Sequence, residues 1–418
     1  MFLALAGAHG DPVASVALSL TVILLSAKLV GEIAVRLGQP AVLGEILAGV
    51  LLGNAHLVGF DGFSALRTDA AIDMLARIGV LLLLFEVGLE STVGQMLKVG
   101  LSSLSVAMIG VFVPFVLGWL TGAWLLPQQG PLVHAFLGAT FCATSIGITA
   151  RVLKDLSREK TEEARIVLGA AVIDDVLGLL ILAVLSGVVA ASNQGGTLAY
   201  GDVAFTLFKA TAFLVVALTL GVYLSPRLFH LVSRLRARGA LLAVGLGFCF
   251  LLAWLADVIG LSPIVGAFAA GLVLEDVHFR DFKERGEHGL EELVHPIASL
   301  LAPVFFVLMG LRTDLRALAA PGILGLAGVL TLVAIGGKAV AGLGAFGKGL
   351  DRLSIGIAMV PRGEVGLIFA NVGLTLEVGG KPVIDGPTFS AVVVMVMLTT
   401  LVTPPALRFS LARAKRAK

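Results

Sequence analysis

Long apolar segments, each about the length that crosses a membrane, dominate the chain. A spanning helix needs about 20 mostly apolar residues, and breaks at charged or Gly/Pro-rich stretches divide the chain into thirteen such segments. The predicted spans are 12–35, 40–58, 71–90, 99–125, 132–152, 164–191, 203–225, 239–258, 261–275, 292–311, 321–345, 353–376 and 386–407. The pattern therefore predicts an all-α polytopic membrane protein with 13 transmembrane helices.

The composition supports this class and excludes most others. Hydrophobic residues make up 58% of the 418 residues and charged residues only 14%, with a mean hydropathy of +1.01. So few charges cannot cover soluble domains of this total length. We therefore expect no enzyme, no nucleic-acid partner and a surface that contacts membrane lipid. No glycine-rich phosphate loop follows a predicted strand, so no nucleotide-binding domain and no bound cofactor are expected.

The lysine and arginine residues predict the orientation of the chain in the membrane. Of the 30 residues, 21 fall in the segments on one side of the predicted spans, five fall on the other side, and four lie inside spans. Basic residues accumulate in cytoplasmic segments. The N-terminus is therefore predicted to lie outside and the C-terminus in the cytoplasm.

The sequence contains an internal repeat at a constant offset of 222 residues. The segment LGQPAVLGEILAGVLLGN (Leu37–Asn54) aligns with IGLSPIVGAFAAGLVLED (Ile259–Asp276), and the same offset sets Gly88 on Gly310. Spans 2 and 3 thus correspond to spans 9 and 10. A shift of seven spans places the second copy upside down, which predicts inverted six-span repeats joined by span 7. This architecture is typical of secondary transporters.

Two adjacent acids in the sixth predicted span, Asp174 and Asp175, are the strongest indication of function. Ionisable residues at membrane depth are costly and usually mark a transport site or a pair. Neighbouring side chains on a helix point about 100° apart, so a cation from another span can neutralise one acid while the other stays available. An acid buried without an ion takes up a proton, whereas a nearby Na⁺ favours the carboxylate. Competition between proton and cation for one group is what antiport requires.

A predicted helix break in span 12 brings further candidates. In Pro361–Glu364, proline removes a backbone donor and glycine adds conformational freedom. At the repeat offset this break lies opposite span 5, where Thr144 and Ser145 are small and polar. Opposed breaks expose half-helix ends that suit ion binding, and Arg362 and Glu364 would compensate the charges of those ends.

Two more charges lie inside predicted spans. Lys338 in span 11 is the candidate partner of Asp174, and the alternative is a lysine that reaches the membrane interface. Glu86 in span 3 either serves the ion pathway or neutralises Arg362.

Five segments along the chain resemble the motifs of bacterial monovalent cation:proton antiporters. The resemblance is closest to Na⁺/H⁺ antiporters with a paired aspartate and to the related Kef-type potassium efflux proteins. The segments are LLLLFEVGLE (Leu81–Glu90), TSIGITARVLKDL (Thr144–Leu156), VIDDVLGLL (Val172–Leu180), PVFFVLMGLRTDL (Pro303–Leu315) and PRGEVGLIFANVG (Pro361–Gly373).

The resemblance implies the Na⁺/H⁺ antiporter fold, in which the discontinuous helices of spans 5 and 12 cross. Spans 1–3 and 8–10, here residues 1–98 and 239–320, would form a dimerisation bundle in a homodimer. Spans 4–6 and 11–13, here residues 99–191 and 321–418, would form a core ion-transport bundle, and residues 192–238 would form the linker span. The core would move like an elevator against the dimerisation bundle.

The resemblance also assigns roles to the candidates. Asp175 would bind the ion and the proton, Thr144 would be a second ligand of Na⁺, and Ser145 would lie near the ion. Asp174 would form an ion pair with a lysine. The supporting charges would be Lys338, Arg362, Glu364 and Glu86.

We therefore expect a Na⁺/H⁺ antiporter of a prokaryotic inner membrane. Kef-type proteins usually continue into a soluble nucleotide-binding domain and tend to carry an amide at the first acid, whereas this chain stops at Lys418 and has Asp174. In the family, paired aspartates tend to go with electrogenic exchange. A K⁺/H⁺ antiporter on the same fold and a Na⁺-coupled symporter of an organic anion remain alternatives.

Overall fold

The computed structural model describes most of the chain, and the described residues are almost entirely helical. About half of the predicted linker span, 203–225, lies outside the described residues. The described ranges are 12–90, 100–145, 161–193, 239–259, 261–274, 289–316, 322–347 and 349–417, with isolated positions between 149 and 158 and between 205 and 227.

The helices follow the order of the predicted spans. They are α1 (Pro12–Arg36), α2 (Ala41–Gly53), α3 (Ala70–Glu90), α4 (Leu101–Leu125), α5 (Pro131–Thr140), α6 (Glu162–Asn193), α7 (Ala240–Val258), α8 (Pro263–Val273), α9 (Leu290–Arg312), α10 (Ile323–Ala339), α11 (Arg352–Ala358), α12 (Glu364–Thr375) and α13 (Gly386–Ala417). Short 3₁₀ helices cover Ala55–Val58, Ser64–Arg67 and Val340–Gly344, and the two-residue strands Glu377–Val378 and Lys381–Pro382 form a hairpin.

The described helices confirm an all-α polytopic membrane protein. Seven of them are long and apolar enough to cross a membrane, and four more are shorter apolar helices of 10–17 residues. Predicted spans 1–6 and 8–13 each contain at least part of a described helix, and span 12 contains two, α11 and α12. The total of thirteen spans stays a prediction.

Several helix ends differ from the limits that hydropathy predicts. Helix α2 ends at Gly53 rather than near 58, because the Asn54 side chain donates to the carbonyl of Val50 at 2.9 Å and the chain continues as a 3₁₀ helix. Helix α8 has only 11 residues, which corresponds to about 16 Å. Hydropathy detects where a segment is apolar but does not detect where its helix ends.

The described residues pack as two compact units. The first contains residues 1–73, 98–178 and 306–418, and the second contains residues 74–97 and 179–305. Residues such as Val106, Ile355 and Met359 form the buried core of the first unit, and Phe85 and Leu252 lie in that of the second. The predicted dimerisation and core bundles stay predictions, because packing within one conformation does not show which helices move together.

Glycine contacts follow the repeat predicted from the sequence. In the first unit, a Cβ on Gly49 of α2 would lie 2.0 Å from the carbonyl oxygen of Val307 and 2.9 Å from the Cα of Gly310 in α9. In the second unit, a Cβ on Gly271 of α8 would lie 2.8 Å from the Cα of Gly88 in α3. The offset of 222 converts each pair into the other. Small residues that let helix backbones touch are typical of membrane helix packing.

A second glycine contact repeats in the same way. A Cβ on Gly44 would lie 2.4 Å from the carbonyl oxygen of Val30, and a Cβ on Gly266 would lie 2.1 Å from that of Leu252. Gly44 and Gly266 are 222 residues apart, and so are Val30 and Leu252. The α1–α2 pair in the first unit and the α7–α8 pair in the second therefore pack at matching positions.

Substitution of Gly49 with alanine is expected to destabilise the protein by about 1–3 kcal/mol, since the methyl group would overlap backbone atoms that cannot move aside. Gly271→Ala should cost a similar amount. The control is Gly325→Ala in α10, where nothing lies within 4 Å of the added methyl. The melting temperature of the detergent-solubilised protein measures each effect, and an unchanged value for Gly49→Ala would contradict the close approach.

Candidate ion-binding site

Two interrupted helices meet in the first unit. Helix α5 ends at Thr140 and the chain is not helical from Phe141 to Ser145. Helix α11 ends at Ala358, and α12 begins at Glu364 after another non-helical segment. The amide of Ser145 donates to the carbonyl of Pro361 at 2.9 Å. The predicted break at Pro361 is therefore present, and it contacts the unwound segment of span 5 directly.

Hydroxyl groups of span 5 donate hydrogen bonds to carbonyls that the break in span 12 leaves without a helical partner. The hydroxyl of Thr149 donates to the carbonyl of Ala358 at 2.7 Å, and the hydroxyl of Thr144 lies 3.1 Å from the carbonyl of Met359. The last carbonyls of a helix have no partner within it, and an unpaired one is costly in the apolar interior of a membrane. These threonines therefore stabilise the interruption of span 12.

Arg362 lies at the break and is completely buried. Its guanidinium donates to the carbonyl of Ala143 at 3.2 Å and to that of Ala334 in α10 at 3.3 Å, and its own carbonyl accepts from the hydroxyl of Thr400 in α13. A cation beside such carbonyls compensates their partial negative charge. Arg362 thus joins the two breaks to two further helices.

Asp174 and Lys338 form an ion pair between α6 and α10, and both side chains are fully buried. The hydroxyl of Thr144 also donates to Asp174 Oδ2 at 2.7 Å. The structure thus brings together three of the residues that the sequence analysis singled out. Removing charges from water is costly, and a buried pair persists only when geometry and further hydrogen bonds compensate that cost.

Two glycines leave room for this arrangement. A Cβ on Gly110 of α4 would lie 3.4 Å from Lys338 Nζ and 3.7 Å from Asp174 Oδ1, and a Cβ on Gly363 would lie 2.6 Å from Ser145 Oγ. Sequence reasoning did not single out Gly110, because a glycine in an apolar span is unremarkable until its neighbours are known.

The remaining candidates have different positions. Asp175 and Ser145 are buried in the first unit, each with about 4% of its surface exposed. Glu364 is the first residue of α12, and its side chain lies outside the described residues. Glu86 belongs to the second unit, where Oε1 lies 2.5 Å from Nδ1 of His295. No pattern in the sequence marks His295 as the neighbour of Glu86, although spans 3 and 10 correspond in the repeat and each carries one of the two residues.

The chain also matches a known protein family over almost its whole length. The family model for the transmembrane region of sodium/hydrogen exchangers matches residues 21–413. The chain belongs to the sodium/hydrogen exchanger family. Its members are secondary transporters and not enzymes, which confirms the resemblance to monovalent cation:proton antiporters.

Individual relatives match over nearly the full chain. The high-affinity Na⁺/H⁺ antiporter NhaS3 of Synechocystis sp. is 39% identical over 96% of this chain and 91% of its own length. The Na⁺/H⁺-K⁺ antiporter GerN of Bacillus cereus is 35% identical over 95% and 97%. The structure of the sodium proton antiporter MjNhaP1 from Methanocaldococcus jannaschii superimposes with a TM-score of 0.67 over 95% of both chains at 19% identity, which shows a shared fold.

Replacing Asp174 with asparagine is expected to destabilise the protein by about 3–5 kcal/mol, because Lys338 keeps a buried charge without its counter-ion. The double variant Asp174→Asn/Lys338→Met removes both charges and should recover most of the loss. Melting temperatures of the two variants in detergent test this. A double variant no more stable than Asp174→Asn alone would show that the two charges do not compensate each other.

Proposed function

We propose that this protein exchanges Na⁺ for H⁺ across the membrane by alternating access. The supporting observation is the location of two adjacent buried acids beside two contacting helix breaks. Asp174 is already held by Lys338 and Thr144. We assign the transported ion to Asp175, which lies one position along α6, is buried in the same unit, and matches the ion-binding acid of the antiporters that the sequence resembles.

Thr144 is suited to be a second ligand of Na⁺. Its hydroxyl has one hydrogen, which points to Asp174 or to the carbonyl of Met359. A hydroxyl also has two acceptor lone pairs, and these stay available to a cation. Carboxylate, hydroxyl and carbonyl oxygens are the ligands that hard cations prefer. Ser145 follows directly, and its amide is already used by Pro361.

The buried charges explain how Na⁺ and H⁺ substitute for one another. Four ionisable side chains with known contacts or burial line this part of the first unit: Asp174, Asp175, Lys338 and Arg362. When all four are ionised their charges cancel. One proton on Asp175, or one Na⁺ beside it, adds the same single positive charge. At Asp175 the proton and Na⁺ therefore supply the same charge, and binding of either excludes the other.

The ion pair supports exchange of two protons per Na⁺. A lysine whose carboxylate partner becomes occupied by a cation loses the charge that keeps it protonated. Na⁺ at Asp174 and Asp175 together would then release one proton from Asp175 and one from Lys338. This stoichiometry is electrogenic, in agreement with the tendency of paired aspartates in the resembling antiporters.

The proposal includes the wider architecture. The chain would form 13 spans with inverted repeats, an N-terminus outside, a C-terminus in the cytoplasm of a prokaryotic cell, and a homodimer in the inner membrane. Spans 4–6 and 11–13 would move as the core against spans 1–3 and 8–10. The repeated glycine contacts support the inverted repeat, since equal positions in the two copies make equal contacts.

K⁺/H⁺ exchange is the second candidate. The relative GerN is named a Na⁺/H⁺-K⁺ antiporter, and it is similar to this chain along almost its whole length. The same acids and hydroxyl would serve K⁺, since the charge argument holds for any monovalent cation. Selectivity then depends on the distances between the oxygens once the ion is bound.

Purified protein in liposomes with an internal pH dye is expected to show proton flux when NaCl is added with the membrane potential clamped at zero. Asp175→Asn should abolish this flux, because an amide neither binds the proton nor neutralises Na⁺, and should leave a folded dimer. The control is Asp61→Asn, which removes an exposed acid from a loop and should exchange normally.

The outcomes separate the candidates. Retained exchange in folded Asp175→Asn would contradict the assignment of the transported ion. Flux with KCl and none with NaCl would change the substrate to K⁺ on the same site. No flux with either salt between pH 6 and 9 would contradict antiport and point to the symporter class.

A further inference from the structure

A cluster of polar contacts surrounds the end of α9, away from the candidate ion site. Arg312 is the last residue of this helix, and its guanidinium lies 2.5 Å from Asp73 Oδ1 in α3. The other terminal nitrogen donates to Asn371 Oδ1 in α12 at 2.8 Å. Only 17% of the Arg312 side chain is exposed. We call Arg312, Asp73 and Asn371 the Arg312 latch.

The three members belong to different predicted bundles. Asp73 and Arg312 lie in residues 1–98 and 239–320, which are both predicted in the dimerisation bundle. Asn371 lies in α12, the second half of the broken span 12 in the predicted core. The bond between Arg312 and Asp73 therefore lies within the predicted dimerisation bundle. The bond between Arg312 and Asn371 joins that bundle to α12, the helix that begins beside the candidate ion site.

The turn after α9 also contacts residues of both predicted bundles. Asn54 in the dimerisation bundle donates to the carbonyl of Thr313 at 2.9 Å and accepts from the amide of Leu315 at 3.0 Å. On the other side, the amide of Asp314 donates to the hydroxyl of Ser390 in α13 at 3.0 Å. The contacts within the bundle include an ion pair, whereas the two contacts to the core are hydrogen bonds to neutral side chains.

This difference in strength matters for a moving core. Arg312 donates to a carboxylate in Asp73 and to a neutral amide in Asn371, and the bond between two opposite charges is the stronger of the two. The carboxylate of Asp73 keeps the guanidinium of Arg312 in place and compensates its charge, so the bond to Asn371 can break without leaving an unpaired charge. The arrangement suits a contact that forms and breaks in each cycle.

We propose that Arg312 is a positioning residue that holds α12 in the conformation of this structure and releases it when the core moves. The inference rests on the proposed elevator function. Asn371 determines how strongly α12 is held, and Asp73 keeps the guanidinium of Arg312 in a fixed orientation.

The test uses a disulfide that reports the latched conformation. Cysteines introduced by Asp314→Cys and Ser390→Cys lie where the amide of one residue meets the side chain of the other, and the natural Cys142 and Cys249 are buried. Oxidation of this variant in liposomes is expected to stop Na⁺-driven proton flux, and reduction should restore it. The initial rate of disulfide formation then measures how much of the protein is latched.

Variants of Asn371 in this background should change that rate in opposite directions. Asn371→Asp converts the contact into an ion pair, which is stronger than the bond from the guanidinium to a neutral amide, so cross-linking should be faster and exchange slower by about tenfold. Asn371→Ala removes the bond and should slow cross-linking. The matched control is Thr375→Ala, which removes an exposed hydroxyl from the same helix, where it donates to the carbonyl of Val372. It should leave both the cross-linking rate and exchange unchanged.

Each outcome is informative. Opposite changes in the two Asn371 variants support the latch. Equal cross-linking rates in all three forms of residue 371, with exchange still blocked by oxidation, overturn the latch and leave the moving core intact. Normal exchange by the oxidised protein overturns both the latch and the elevator. Absence of exchange in the unmodified protein would instead refute the proposed function.

Discussion

The buried ion pair between Asp174 and Lys338 sets conditions that the surrounding structure has to meet. Neither side chain is exposed, and each charge taken from water costs several kcal/mol unless it is compensated. Thr144 therefore donates to the carboxylate, and the absence of a side chain at Gly110 leaves space beside the ammonium group.

The same condition applies to the peptide groups at the helix breaks. Carbonyls at the end of α11 have no helical partner, and the hydroxyls of Thr149 and Thr144 take that place. The carbonyl of Ala143, in the non-helical segment of span 5, is also paired, because it accepts from the guanidinium of Arg362. A dense set of small polar residues in span 5 is thus needed before any ion is considered. This explains why a single hydroxyl, that of Thr144, contacts both the ion pair and the break.

The sequence predicted features that depend on local chemistry, or on a type of residue that is rare inside the spans. Pro361 breaks a helix wherever it occurs within one, and few charges lie inside spans, so Lys338 was the evident partner of Asp174. Other contacts depend on the distance and rotation between helices, which hydropathy does not determine. His295 as the neighbour of Glu86 and Asn371 as the neighbour of Arg312 are of this kind.

The two copies of the repeat contribute differently to the frame and to the site. The frame is repeated, since Gly49 packs on Gly310 and Gly271 packs on Gly88 at the same offset. The charges are divided: the acids of α6 and the hydroxyl of Thr144 come from the first copy, whereas Lys338 and Arg362 come from the second. At the repeat offset the acids align with apolar residues, Val396 and Met397. Among the described side chains, the buried ion pair joins one copy to the other, so the two copies must pack together before the proposed site exists. The proposed alternating access needs such an arrangement, because a single site shared by two similar halves can be exposed to each face in turn.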